Sequence, residues 1–429
     1  MPAILATLAT ATLATATLAA AALSTATLTT TTLAAGPTHT EGNPDLIERL
    51  EPRVTELAER QLREVGVPGL IVGVLSGGDT AYFGYGRIAN TAGAPVPTSD
   101  TLYETGSISK VFTAVLLANA EHRGELAIDD PIETLVPDGV TVPTFQPTGD
   151  NAGNTPDPVR AQITLADLAT HHSGLPRMPA NFLPITNDPF RFYPREAMYA
   201  FLELTPVFTE PGTNYSYSNY ATGLLGCLLE RAAGGTRYPD LLAQRITGPL
   251  GLADTVVITK DFQLPPDQLR RAATPHNGAD PMNAWRFDSL APAGAITSTA
   301  HDLLTFAQAS IQASIDAANL PLKDAEASKS HLTHALRRVL EPQHEVSNTT
   351  DIALGWHIRN GRFHWHNGAT GGSRSMLMVD HEAKSAVVVL INANTASPGS
   401  VARPLIRQLG RESRGEADRP RDAAPAAGG

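Results

Sequence analysis

A single cysteine, Cys227, stands in the 429-residue chain, so no intramolecular disulfide and no cysteine-rich metal site can form. Its surroundings, GLLGCLLERA, have the apolar spacing of a buried helix face, where a thiol packs rather than reacts. Lysine is nearly as scarce, with five copies, and 32 Lys+Arg stand against 43 Asp+Glu for a net charge of -11. A broad basic face that neutralises phosphates is thereby excluded, and no nucleic-acid partner is expected. Charged residues make up only 17% of the chain, but 42% is hydrophobic, which supplies a large core and rules out a wholly disordered polymer.

Charge is missing altogether from the first 40 residues, a block of Ala, Thr and Leu that ends just before Glu41. Leucines at positions 8, 13, 18, 23, 28 and 33 repeat every five residues, a period belonging to neither a helix face nor a strand. The 1–40 block fits a secretory signal peptide with small-residue cleavage sites near Ala34-Ala35, although no Lys or Arg leads it. A retained membrane anchor, a low-complexity tail and a stack of pentapeptide repeats are the alternatives. Export to the periplasm or the extracellular space is the expectation, with no stable membrane span left after processing. Residues 411–429 are charged and then Ala/Pro/Gly-rich, and read as a disordered tail.

Between these ends, the apolar positions Leu46, Ile47, Leu50, Val54, Leu57, Leu62 and Val65 predict a helix after Gly42-Asn43-Pro44. The runs GLIVGVLS and TAYFGYGRIA flank Gly77-Gly78-Asp79 and predict a β-hairpin. From about 106 to 310 the patterns are mainly helical, with long Pro/Gly/Asn loops such as 137–160 and helix starts at Thr164 and Thr299, each followed by Asp three residues on. Strand patterns return at LGWHIRN, RFHWH, SRSMLMVD and SAVVVLINA, before an amphipathic helix near 400–409. An antiparallel sheet assembled from both chain ends, with a helical lobe inserted between them, satisfies that order most simply.

Three short segments carry chemistry. In Thr105-Gly-Ser107-Ile-Ser-Lys110, Ser107 sits where a helix should begin, and residues three apart share a helix face, so the Lys110 amine can reach the Ser107 hydroxyl. Serine is a poor nucleophile until a base takes its proton, and lysine is such a base only if its pKa falls from ~10.4. The bland alternative is a capping serine beside a solvated lysine. In Pro211-Gly-Thr-Asn-Tyr215-Ser-Tyr217-Ser-Asn219, Asn219 is a candidate N-cap, and Tyr217 would point from the loop at a helix mouth and could share the proton transfer. A purely structural, hydrogen-bonded tyrosine is the competing view. In Trp365-His366-Asn367-Gly368-Ala369-Thr-Gly371-Gly372-Ser-Arg374, a strand ends beside glycines that permit close approach of a ligand or make a tight loop. His366 could donate a hydrogen bond or proton there, or be structural.

The order and spacing of these segments resemble the three-motif signature of penicillin-recognising serine hydrolases. The Tyr217-Ser-Asn219 form is similar to the class C β-lactamase branch and its relatives among D-alanyl-D-alanine carboxypeptidases and esterases. The resemblance spans about 44–410 and is supported at 163–177, 249–255 and 291–303. It implies an α+β fold of the β-lactamase/transpeptidase type, with a sheet lobe at about 44–104 and 290–410, a helical lobe at about 105–289, and the site in the cleft between them. It also implies that Ser107 is the acylated nucleophile and that Lys110 and Tyr217 form the proton-transfer pair, with the base left open between them. Asn219 would bind the substrate amide or Lys110. The N–H groups of Ser107 and Ala369 would form the oxyanion hole, with Asn367, Gly368 and Ala369 as the binding strand.

At the third motif this chain has His366-Asn367-Gly368 where a dedicated β-lactamase has Lys-Thr-Gly or Lys-Ser-Gly. A histidine of pKa ~6.5 is mostly neutral at pH 7 and gives no permanent charge for a substrate carboxylate. The pattern is therefore more similar to the peptidase and esterase members, with Arg374 either replacing the lost cation or serving as a surface arginine. A D-alanyl peptide, an ester or a β-lactam is the expected substrate class, with peptidoglycan a further partner. A true class C-type β-lactamase, an acyltransferase or peptide cyclase, and a silent peptidoglycan-binding or sensor protein are the alternatives. No metal or cofactor is required, since the adjacent His171-His172 pair lacks a carboxylate cluster beside it.

Overall fold

Asn43 begins the first long helix, Pro44–Arg60, by accepting a hydrogen bond from the Leu46 N–H, and Pro44 takes a first-turn position that needs no N–H. In this computed structural model, which describes residues 37–147, 161–184, 187–207, 209–319 and 331–416, the predicted helix stays α-helical to Arg60. It then widens into a π turn, Gln61–Val65, that Gly66 ends. The expectations for the block before residue 37 and for the tail beyond 416 lie outside the described residues. The predicted hairpin forms from Gly69–Ser76 and Asp79–Gly86. Gly77 and Gly78 take φ of 63° and 107°, the left-handed geometry that a two-residue reversal demands.

Nine strands form one antiparallel sheet in the order His39–Gly42, Asp79–Gly86, Gly69–Ser76, Ser385–Ile391, Arg374–Asp380, Phe363–Ala369, His357–Arg359, Thr350–Ile352 and His344–Ser347. Early and late parts of the chain meet where Gly69–Ser76 pairs with Ser385–Ile391. The period of two along each strand sends alternate side chains into two apolar layers. On one face Val72, Val74, Val387 and Val389 pack with Leu50 and Val54 of the first helix and Leu405, Ile406 and Leu409 of the last, Gly399–Glu412. That last helix runs two residues past 410, into the segment expected as tail.

On the other face Ile71, Leu75, Leu377 and Val388 meet Phe112 and Val115 of the helix Ser109–His122 and Leu304 of Ala300–Asn319. The same apolar cluster continues through Tyr220, Leu224, Cys227 and Leu228. The inserted helices thus share one core with the sheet, and Cys227 is buried in it. A small sheet of Tyr103–Glu104, Ile296–Ser298 and Val256–Val257 ties the stretch before Ser107 to the stretch after Ala293. Thr164 and Asp167 form a complete capping box. Thr299 accepts from the Asp302 N–H, but the Asp302 carboxylate turns to Asp254 N and Thr255 instead of back to the cap. No helix among the described residues is long and apolar enough to cross a membrane.

Candidate active site

Ser107 lies in a short 3-10 turn, Gly106–Ile108, and the α-helix proper begins two residues later at Ser109. Gly106 makes this entry possible with φ of 53°, and a Cβ there would lie 2.6 Å from the Ala369 nitrogen. Ser109 locks the turn by donating to Gly106 O at 2.7 Å and accepting from Ile296 N at 3.0 Å. One turn beyond Ser107, Lys110 is 2% exposed. Its Nζ is 3.1 Å from Ser107 Oγ, 2.9 Å from Asn219 Oδ1 and 2.7 Å from Ala293 O. Burial, reinforced by the Arg177 charge, holds the Lys110 amine well below the usual lysine range. Two of its three partners can only accept, so the neutral amine spends both N–H bonds on them and turns its lone pair to the Ser107 hydroxyl.

The second motif corrects one reading of the sequence. Ser218, not Asn219, caps the helix Asn219–Ala232, accepting from Ala221 N at 2.9 Å. Its own N–H donates to His171 Nδ1 at 3.2 Å. The Asn219 side chain is left to reach Lys110, and its N–H donates to Arg177 O at 3.0 Å. Tyr217 hydrogen-bonds Ser107, and burial pushes its phenol up to about 12 despite that bond and the nearby Arg177. The Tyr217 ring has Lys110 Nζ at 4.9 Å and the Arg177 guanidinium at 5.0 Å from its centroid, with the His171 ring at 4.4 Å.

The strand Phe363–Ala369 presents alternate residues to the cleft. Trp365, Asn367 and Ala369 line it, whereas His366 and Gly368 do not. Gly368 crosses directly over the chain before Ser107, where a Cβ would come within 1.8 Å of Thr105 O. Ser375 Oγ donates to the same carbonyl at 2.7 Å. His366 is 1% exposed, with its ring 5.3 Å from that of His357 and 6.4 Å from that of Tyr217. Burial holds it well below the ordinary histidine value, so it is neutral. Gly371 and Gly372 are crowded by Trp285 and by Pro275-His276, not opened towards the cleft. Arg374, left open between a substrate-binding cation and a surface arginine, is half-buried, donates to Thr370 O at 2.8 Å and Ser373 O at 2.9 Å, bracing the turn after the strand, and does not line the cleft.

The cleft has a volume of about 650 Å³. Ser107, Tyr217 and Asn219 line it beside Lys110, and Phe182, Phe190, Trp285, Phe287 and Trp365 give it an aromatic wall. Several contributors were not singled out from sequence. Arg177 lines the cleft beside Tyr217. Tyr215 and His357 meet at 2.9 Å, and burial brings the His357 imidazole down to about 4. Glu104 is half-buried and accepts from Trp285 N at 2.6 Å, Thr370 Oγ1 at 2.7 Å and Ser373 Oγ at 3.3 Å, and desolvation of its carboxyl raises it to about 7. Only the acidic residue two positions before Gly106 hinted at it. Among the described residues, no group of three His, Cys, Asp or Glu is placed to hold a metal ion.

The Beta-lactamase family model matches residues 54–411. The D-alanyl-D-alanine-carboxypeptidase/endopeptidase AmpH of Escherichia coli (strain K12) is 30% identical over 247 residues, 57% of this chain and 57% of AmpH. The match thus spans little more than half the length of that relative. A Beta-lactamase of Yersinia enterocolitica is 25% identical over 370 residues, 80% of this chain and 86% of that protein. Among solved structures, a Beta-Lactamase/D-Alanine Carboxypeptidase from Pseudomonas syringae superposes with a TM-score of 0.67 at 21% identity, covering 86% of this chain and 100% of that one. A class C beta lactamase from Rhodobacter sphaeroides gives 0.66 at 23% identity, covering 84% and 98%. The structural likeness shows a β-lactamase/transpeptidase-like fold, and the family match completes the assignment: the chain belongs to the beta-lactamase family of serine hydrolases.

Proposed function

We propose that the protein cleaves amide or ester bonds through a covalent acyl-Ser107 intermediate, as a D-alanyl-D-alanine carboxypeptidase/endopeptidase-like or esterase-like member of its family. The observation that carries this reading is the Lys110 amine, buried, depressed in pKa and 3.1 Å from Ser107 Oγ. Ser107 Oγ bonds to the substrate carbonyl carbon while its proton passes to Lys110 Nζ. The N–H groups of Ser107 and Ala369 hold the oxyanion, consistent with the packing of Gly106 against the Ala369 nitrogen. The C–N or C–O bond then breaks, and the Tyr217 phenol, kept protonated by burial, hands its proton to the leaving group and is reprotonated from Lys110. Water repeats the sequence in reverse, releasing the acid and restoring the serine hydroxyl.

Burial favours a neutral amine beside a neutral phenol over an ammonium beside a phenolate. Lys110 is thus the base and Tyr217 the acid. The peptidase or esterase assignment, over efficient penicillin hydrolysis, is supported by the neutral His366, which lies behind the cleft lining where a lysine would add charge. The uncharged 1–40 block supports export, which would put the enzyme where D-alanyl peptides of the cell wall occur. Nitrocefin, a D-Ala-D-Ala peptide and a short p-nitrophenyl ester, each given to wild type and Ser107→Ala, form the test. The variant should lose at least ~10³-fold in kcat on every substrate turned over, and intact-mass analysis should find the acyl adduct on wild type only. A variant that kept the wild-type rate would refute the mechanism.

A further inference from the structure

Among the described residues, Arg177 is the only permanently charged one lining the cleft, and no Asp or Glu lines it. Lys110 lies beneath the lining and His357 is neutral above pH ~5. Arg177 is exposed, and among the described residues it forms no ion pair. Its side chain rests instead on the Tyr217 ring at 5.0 Å. Its backbone is fixed, because its carbonyl accepts from Asn219 N at 3.0 Å and Tyr220 N at 3.4 Å at the mouth of the second-motif helix. A rigidly based guanidinium therefore stands over the tyrosine that hydrogen-bonds the nucleophile, with its fork of donors still available.

We propose that Arg177 reads a free carboxylate on the substrate one residue beyond the scissile carbonyl, taking the place that a third-motif lysine would fill. The inference rests on the acyl-serine reading of this cleft and narrows its substrates to those with an anionic group next to the bond cut. In the acyl-serine reading the leaving group departs over the Tyr217 phenol that protonates it, and the Arg177 guanidinium stands 5.0 Å from the centre of that same ring, so a terminal carboxylate on the departing residue is carried to the guanidinium's side of the cleft. A planar guanidinium binds such a carboxylate through two parallel N–H bonds, which an ammonium cannot reproduce. Arg177 is thus a specificity-determining residue and does not itself exchange a proton.

The test compares matched substrates, a D-Ala-D-Ala peptide and its C-terminal amide, and benzylpenicillin and its methyl ester, scored by turnover and by the rate of Ser107 acylation. Wild type should prefer the free acid in at least one pair. Arg177→Gln should cut that preference about 10- to 100-fold, mainly through KM or the second-order acylation rate. Arg177→Lys should fall between, and added salt should weaken only the free-acid reaction. A wild type indifferent to the carboxylate, or a variant that loses equally on acid and amide, overturns the assignment. Ser107→Ala separates the two levels. Activity that needs Ser107 but ignores Arg177 sinks only the Arg177 assignment, whereas activity that survives Ser107→Ala sinks the reading of the site beneath it.

Discussion

A lysine buried against a serine is useful for its lone pair, and here Asn219 is what keeps that lone pair available. Its oxygen accepts from Lys110 without bringing the negative charge that would hold the amine as an ammonium. Asn219→Asp is nearly isosteric but sets a carboxylate 2.9 Å from Nζ, where it would favour the protonated amine. Since the proposed reaction needs the neutral amine, kcat/KM should rise with pH through the Lys110 pKa, and the variant should move that acidic limb at least ~1 unit higher. An unmoved limb would show that Lys110 is not the base. Glu104 gives a second pH signature. Its pKa is raised from 4.5 to about 7 in the folded protein, so between those values the unfolded chain has lost a proton that the folded one keeps. Stability from this group is full below pH ~4.5 and falls by roughly 3 kcal/mol as pH rises to ~7. Glu104→Gln should remove that fall, seen as a wild-type-minus-variant difference in urea unfolding that shrinks between pH 5 and 8. A difference constant with pH would refute it.

At the level of elements, the site depends on one strand clamped across one turn. Gly368 runs over Thr105 O, and Gly106 against Ala369 N, with no room for a Cβ at either. Gly368→Ala should force the strand off the serine turn and separate the N–H groups of Ser107 and Ala369 proposed to hold the oxyanion, costing about 10²-fold or more in kcat. Near-wild-type kcat in a folded variant would contradict the clamp. These glycines explain what was legible in the sequence. Leu46, Leu50, Val54 and Leu57 declare a helix, Gly77-Gly78 a reversal, and Ser107 with Lys110 a shared face, because each signal lies within one or two turns of chain. What could not be read depends on long-range neighbours. Ser218 rather than Asn219 caps its helix because Asn219 is drawn to Lys110, 109 residues away. Arg374 turns from the cleft to the carbonyls of Thr370 and Ser373. Glu104 acquires its role from Trp285 and Thr370, which only the folded sheet brings to it.

For the whole molecule, the sheet under the cleft carries two apolar layers, and the helix Gly399–Glu412 covers one of them. Leu405 is 1% exposed and packs with the layer holding Val387 and Val389. Leu405→Ala should cost about 2–5 kcal/mol of unfolding free energy without changing KM. Ending the chain at residue 398 strips the whole helix Gly399–Glu412 from that layer and should leave no cooperative unfolding transition, whereas ending it at 416 should preserve one. A cooperative transition in the shorter form would mean that the last helix is dispensable. The pairing of Ile71 with Leu390 in mid-sheet has a further consequence, in time. The partner that Gly69–Ser76 needs, Ser385–Ile391, is made only after all the inserted helices between them, and long-range pairing of this kind closes slowly. Until that late segment is made, the chain therefore lacks the strand that joins Gly69–Ser76 to the rest of its sheet.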